Sequence, residues 1–111
     1  MDERVREIPV EAFAAAVRDG AFVVDVREPD EYESGHVPRA ALIAVGAIPS
    51  RLRELPRREP VYAICAAGNR SRAVAEALVG HGLDARPVAG GTQAWIAAGY
   101  PVVSGLRADR A

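Results

Sequence analysis

The fold of this chain is decided by the stretch Ile64-Cys65-Ala66-Ala67-Gly68-Asn69-Arg70-Ser71. An apolar run over residues 60–64 precedes it, and a segment with helical spacing over 72–78 follows it, so we expect a strand, a tight loop and a helix in that order. Gly68 and Asn69 tolerate positive φ, which lets a chain curl back on itself. The stretch therefore predicts a turn from strand to helix that wraps around Cys65.

Cys65 is the only cysteine in the 111 residues. At the start of a helix, backbone N–H groups from Ala66 onward can converge on its sulfur, where the helix also contributes partial positive charge. These groups and the Arg70 guanidinium favour a thiolate. An arbitrary lone cysteine is more often a small buried hydrophobe, but a core cysteine does not require the Gly68-Asn69 pair. We therefore predict that Cys65 is a nucleophile.

The composition indicates one domain without strong charge bias. The chain of 111 residues carries a net charge of −1, and its arginines are scattered rather than gathered in the basic stripe that nucleic-acid binding needs. The N-terminal segment 1–7 has no apolar core of a signal peptide, and the weakly polar run 40–49 is too short to span a bilayer. We expect a cytoplasmic protein with no nucleic-acid or membrane partner.

One cysteine and two histidines offer few ligands for a metal. They provide neither a CxxC redox pair nor a credible zinc cage. We therefore expect no metal and no cofactor.

Predicted strands and helices alternate along the chain. Five short segments are predicted to be strands, at residues 7–8, 21–26, 41–44, 61–64 and 85–88. Helical spacing occurs in four segments, at 10–17, 47–55, 72–78 and from Thr92, the expected N-cap of a helix that carries Trp95. This alternation predicts one α/β domain with a mostly parallel sheet covered by helices on both faces. We expect its core over about 6–103 and a loose tail over 104–111.

Asp25 interrupts an apolar strand near its C-terminal end. Ligands of open α/β sheets bind beyond the carboxyl ends of the strands, so Asp25 and Cys65 are expected along the same rim. A turn or capping role suits Asp25 equally well. His36 lies between Gly35 and Val37-Pro38, where a histidine is more often structural than chemical.

Four motifs in this order resemble those of the rhodanese family of sulfurtransferases. They are Asp25-Val26-Arg27 with Glu28-Pro29-x-Glu31-Tyr32, Gly35-His36-Val37-Pro38-x-Ala40, Cys65-x-x-Gly68-x-Arg70-Ser71, and Gly90-Gly91 with Trp95 and Gly99-Tyr100-Pro101. Each motif alone is weak, but together they cover nearly the whole chain. The resemblance implies a rhodanese-like fold, in which a five-stranded sheet is flanked by helices.

The same resemblance implies that Cys65 carries a sulfane sulfur as a persulfide. The sulfur would come from thiosulfate or another persulfide and pass to cyanide or a thiol, with small molecules or proteins as donor and acceptor. A binding loop for donor and persulfide would comprise Ala66, Ala67, Gly68, Asn69, Arg70 and Ser71. Within it, Arg70 would orient an anionic donor, while Asp25 and Arg27 would support the site. The covalent persulfide takes the place of a cofactor.

Two other functions remain open. The small Ala66-Ala67 rim also fits a sulfur carrier that is loaded and unloaded only by protein partners. A phosphatase or arsenate reductase is a more remote alternative, because such relatives carry Cys-x5-Arg. Here Arg70 follows Cys65 with the spacing Cys-x4-Arg.

Overall fold

Four parallel strands form the centre of the fold in the computed structural model, which describes residues 4–107. They are β1 (Phe22–Asp25), β2 (Ala41–Leu42), β3 (Val61–Ile64) and β4 (Ala85–Pro87). Their spatial order is β2-β1-β3-β4. Asp25 pairs in register with Ile64, so β1 and β3 end side by side. This register places Asp25 and Cys65 along one edge of the sheet, as predicted.

Helical segments cover both faces of the sheet. One layer contains α1 (Val10–Arg18), α2 (Pro29–Ser34) and α4 (Gly91–Ala97), and the other contains α3 (Asn69–Gly80) with two 3-10 helices at Val45–Ala47 and Pro49–Glu54. Val23 packs into the core of the first layer and Val24 into the second. This alternation is typical of a strand buried on both faces. No helix within residues 4–107 is long and apolar enough to cross a membrane.

The predicted α/β class and parallel sheet are confirmed, but the expected count of five strands is wrong. Four strands are present among the described residues. Ile8 forms only an isolated parallel bridge to Val88. Pro9 follows it directly as the N-cap of α1, which begins at Val10. The fifth edge position is therefore reduced to a single residue.

The continuous helix predicted over 47–55 is also replaced. The segment instead forms the short 3-10 helices, and Arg51 has non-helical φ of −120° within the second. The second 3-10 helix begins at Pro49, because the fixed φ of proline suits the first turn of a helix. The predicted inward positions are nevertheless correct, because Ile48 is buried and Leu52 packs against the core.

The N-terminus of α4 packs against the loop that follows β3. The N-cap is Gly90 rather than the predicted Thr92. Thr92 is instead buried and donates to the Cys65 carbonyl from its N–H at 2.8 Å and from its hydroxyl at 3.2 Å. The N–H of Gln93 donates to the Ala66 carbonyl at 3.0 Å. These bonds fix the carbonyl side of the loop and leave its N–H groups to face the other way.

Part of the predicted loose tail contacts the domain. The N–H of Gly105 donates to the Glu33 carbonyl at 2.8 Å, and the Arg107 carbonyl lies 3.1 Å from Nε2 of His36. Residues 108–111 lie outside the described residues, so a loose end there stays a prediction.

Gly91→Ala tests the contact between α4 and the loop. Gly91 has φ of +58°, and an added Cβ would press on the carbonyl oxygens of Cys65 and Ala66, the latter at 2.7 Å. We expect a loss of about 3 kcal/mol or more in the free energy of unfolding, measured by urea denaturation.

Gly20→Ala is the matched control for this substitution. Gly20 has a similar φ of +84°, but nothing lies within 4 Å of an added Cβ. The substitution should therefore lower the free energy of unfolding by only about 1 kcal/mol, the cost of backbone strain at positive φ. Equal losses in the two variants would contradict the close approach of Gly91 to the loop.

Candidate active site

Cys65 lies directly beyond the C-terminal end of β3, and only 1% of its surface is exposed. The loop that follows it ends at Gly68, the N-cap of α3, which has φ of 111°. An L side chain rarely adopts that conformation, so glycine allows the backbone to curl here. The predicted turn from strand to helix around the sulfur is present.

Several donors of this loop point at the Cys65 sulfur. The N–H of Gly68 donates to Sγ at 3.1 Å and the N–H of Ser71 at 3.4 Å. The hydroxyl oxygen of Ser71 also lies 3.4 Å from Sγ. Hydrogen bonds to an ionised acceptor are stronger than those to a neutral one, so this arrangement favours the thiolate.

Two opposing effects set the acidity of Cys65. Burial alone raises the pKa of the thiol, because it disfavours the charged form. Hydrogen bonds from the Ser71 hydroxyl and from the N–H groups of Ser71, Gly68 and Ala67 outweigh burial and hold the pKa below its ordinary value. The loop therefore favours the thiolate form of this buried cysteine, and its role as a nucleophile stays a prediction.

The Ser71 hydroxyl can serve both ionisation states of the sulfur. In the structure the Cys65 thiol donates to Ser71 Oγ, and Ser71 Oγ donates to the Gly68 carbonyl at 3.2 Å. When the thiol loses its proton, the hydroxyl can rotate and donate to the thiolate instead. Ser71 thus exchanges one bond for another as charge develops on the sulfur.

Arg70 makes a bidentate ion pair with Glu31 of α2. Nη1 of Arg70 donates to Oε1 at 2.7 Å and Nη2 donates to Oε2 at 2.8 Å. The hydrogen bonds from Arg70 and from the Glu28 N–H lower the pKa of Glu31 to about 2. The pair is therefore ionised at neutral pH, and each charge is matched by the other. Whether Arg70 orients a donor stays a prediction.

Glu31 is the site residue that reasoning from the residues missed. The sequence has glutamates three residues apart at 28 and 31, and the structure uses them as a capping box at the start of α2. That local pattern accounts for Glu31 without its second partner. The contact with Arg70 spans 39 positions and exists only after α2 packs beside the loop.

Asp25 is hydrogen-bonded to Arg27. Its carboxylate is fully buried and accepts from Arg27 Nε at 3.0 Å and Nη2 at 2.8 Å. It also accepts from the Arg27 N–H at 3.1 Å, which is a turn interaction. Nη2 of Arg27 reaches onward to the Gly35 carbonyl at 2.9 Å. Asp25 therefore combines the predicted turn role with support for Arg27.

His36 is packed in the core rather than directed at the sulfur. Its ring is fully buried and stacks on Tyr32 with centroids 3.6 Å apart and planes 6° from parallel. Nδ1 lies 2.9 Å from the Tyr32 carbonyl. This geometry favours the structural role that its turn sequence indicates.

A cavity of about 300 Å³ opens beside the loop. Its lining includes Ala66, the two charged residues Arg27 and Glu31, and the apolar side chains Ile96 and Val102. Ile96 is 54% exposed and Val102 is 37% exposed, which makes this wall an accessible apolar surface. Within residues 4–107, no group of three or more His, Cys, Asp or Glu side chains could hold a metal ion. The arrangement places hydrogen-bond donors around the Cys65 sulfur and a partly apolar cavity beside the loop.

Comparisons with known proteins agree with this geometry. The chain is 36% identical over 91 residues to the thiosulfate sulfurtransferase GlpE of Pseudomonas syringae pv. syringae, with 81% of this chain and 86% of the relative covered. A Bacillus subtilis protein named as a candidate sulfur carrier, YrkF, is 36% identical over 76 residues, which are 67% of this chain and 41% of that protein.

A solved structure has the same fold. The crystal structure of a rhodanese-related protein from Thermoplasma volcanium superposes with a TM-score of 0.84 at 36% identity, covering 92% of this chain and 99% of the other. The family model of the rhodanese-like domain matches residues 10–98. The chain belongs to the rhodanese-like domain family.

Proposed function

We propose that this protein is a sulfurtransferase that carries a sulfane sulfur as a persulfide on Cys65. The observation that carries the proposal is the set of donors from Gly68 and Ser71 on a buried cysteine sulfur whose pKa is lowered. The relatives named as a thiosulfate sulfurtransferase and as a candidate sulfur carrier support a role in sulfur transfer or sulfur carriage.

The first step loads the cysteine. The Cys65 thiolate attacks the outer sulfur of a donor and forms a new S–S bond. With thiosulfate, the bond to the inner sulfur breaks and sulfite leaves with its electron pair, which gives Cys65-S-S⁻. With a persulfide RS-SH, the thiolate RS⁻ leaves and the proton stays on the transferred sulfur. The donors of Gly68 and Ser71 hold the negative charge on the sulfur during this exchange.

The second step unloads the cysteine. A thiophilic acceptor, cyanide or a thiolate, attacks the terminal sulfur, and Cys65 leaves as the thiolate that began the cycle. No base is required if Cys65 is already ionised, and the transfer involves only S–S and S–C bonds. The proposed reaction therefore needs neither a metal nor a cofactor.

A sulfur carrier that works only with protein partners is the second candidate. The exposed Ile96 and Val102 beside Ala66 favour it, because such a surface could receive a partner that presents or collects the sulfur. The two functions differ in whether small molecules turn over without a partner. The cytoplasmic location remains a prediction under either one.

Cys65→Ser tests the nucleophile. Intact-protein mass spectrometry after exposure to thiosulfate, and separately to a small persulfide, should show a gain of one sulfur atom that cyanide removes. The variant should gain none, because the attacking thiolate is absent, and should keep the circular dichroism of the native fold. Sulfur uptake by Cys65→Ser would contradict the mechanism. No uptake by the native protein from either donor would favour the carrier, with a protein partner as donor.

Ser71→Ala tests how the thiolate is stabilised. Loss of the hydroxyl should raise the Cys65 pKa and shift the rising limb of the pH–rate profile of persulfide formation to higher pH, because the thiolate loses a hydrogen bond. At a pH below that limb, the rate should fall about tenfold.

Thr92→Val is the matched control for the hydroxyl. The Thr92 hydroxyl donates to the Cys65 carbonyl and not to the sulfur. The pH–rate profile of Thr92→Val should therefore keep the native midpoint. A profile that moves equally in both variants would mean that general loosening of the loop, rather than the Ser71 bond to sulfur, sets the acidity.

A further inference from the structure

We propose that Glu31 determines which donors this site accepts. By holding Arg70 in an ion pair, it makes the site favour donors with one negative charge and an apolar group over the dianion thiosulfate. The inference rests on the proposed sulfur transfer through Cys65 and names the donor class for that same site.

Arg70 is already bound by a carboxylate. Both of its terminal nitrogens donate to Glu31, at 2.7 and 2.8 Å. This is the planar, two-point geometry with which arginine recognises a carboxylate or another oxyanion. An anionic donor must either displace Glu31 or approach an ion pair with no net charge. The cation nearest to Cys65 in sequence is therefore largely cancelled.

Arg27, which lines the cavity, is paired with a carboxylate as well. Arg27 is bound by the fully buried Asp25 through Nε and Nη2. Arg27 and Glu31 both line the cavity, but each has its partner of opposite sign. The two pairs contribute no net charge with which to attract a dianion.

One wall of the cavity is apolar and uncharged. Ile96 and Val102 are accessible there, next to Ala66 of the loop. Covering apolar surface stabilises a complex, and thiosulfate has no apolar surface to offer. An aryl or alkyl group beside the reacting sulfur would gain contacts that thiosulfate cannot make.

Electrostatic repulsion acts in the same direction. The donor has to approach the negatively charged thiolate of Cys65, and thiosulfate itself carries two negative charges. Benzenethiosulfonate contains the same kind of S–S bond but one negative charge and a phenyl ring. In its reaction, the thiolate attacks the outer sulfur, the bond to the sulfonyl sulfur breaks, and benzenesulfinate leaves with the electron pair. The two donors therefore compare charge and apolar surface in one reaction type.

The experiment measures kcat/KM for thiosulfate and for benzenethiosulfonate, with cyanide as acceptor, in the full chain and three variants. The variants are Glu31→Gln, Arg70→Gln and the double variant. Glutamine keeps an Oε1 that can accept the Glu28 N–H bond at the start of α2, so the fold of Glu31→Gln should be retained. Glu54→Gln is the matched control, because Glu54 also forms a two-point pair with Arg51 but lies outside the cavity lining.

The expected result follows the net charge of the pair. The native protein should prefer benzenethiosulfonate. Glu31→Gln leaves the charge of Arg70 unpaired, so the ratio of kcat/KM for thiosulfate to kcat/KM for benzenethiosulfonate should rise about tenfold. Arg70→Gln leaves the charge of Glu31 unpaired and should lower this ratio by a similar factor. The double variant and Glu54→Gln should both return the native ratio.

Other outcomes overturn the proposal in distinct ways. A native protein that prefers thiosulfate contradicts the donor class, even if no variant folds. A ratio that falls or stays unchanged in Glu31→Gln means that Glu31 positions Arg70 for the anion instead of withholding it. Failure of the native protein to accept sulfur from either donor overturns the proposed function itself, and the role of Glu31 with it.

Discussion

The need to stabilise a negative charge on the buried Cys65 sulfur is the constraint on which the rest of the structure depends. Burial opposes that charge, and the hydrogen bonds of the loop must exceed the cost. They can do so only if the backbone curls around the sulfur, which requires the positive φ of Gly68. The carbonyl groups that face outward from the curl then need donors, and Thr92 at the start of α4 supplies them to Cys65. Strand, loop and two helices therefore act together on one atom.

The arginines near the Cys65 loop are each paired with a carboxylate. Arg27 and Arg70 both lie near the loop in this fold, yet each is held by a carboxylate, from Asp25 and Glu31 respectively. The Arg27 pair is buried and the Arg70 pair is partly exposed, so only the second can readily exchange partners with a ligand. This difference is why donor preference should depend on Glu31 more than on Asp25. The apolar wall with Ile96 completes a site that has little attraction for small dianions.

The parts of the site that could be predicted from sequence are those set by local chain geometry. Cys65, Gly68 and Ser71 lie within seven consecutive residues, so their mutual placement follows once a strand ends and a helix begins. Glu31 and Thr92 reach the loop from elements that are distant in sequence, and no spacing indicates how α2 and α4 pack. Two errors in the fold lie beside prolines, because α1 begins directly after Pro9 and a 3-10 helix begins at Pro49, inside the helix predicted over 47–55.

The most direct test of this account is the titration of Cys65 in the native protein. Because the chain has one cysteine, the ultraviolet absorbance of the thiolate reports this residue alone as pH is raised. If the loop donors outweigh burial, the midpoint will lie clearly below the value of about 8.5 for an unperturbed thiol. A midpoint at or above that value would mean that burial outweighs the loop donors, and it would contradict the claim that the fold is built to hold charge on this sulfur.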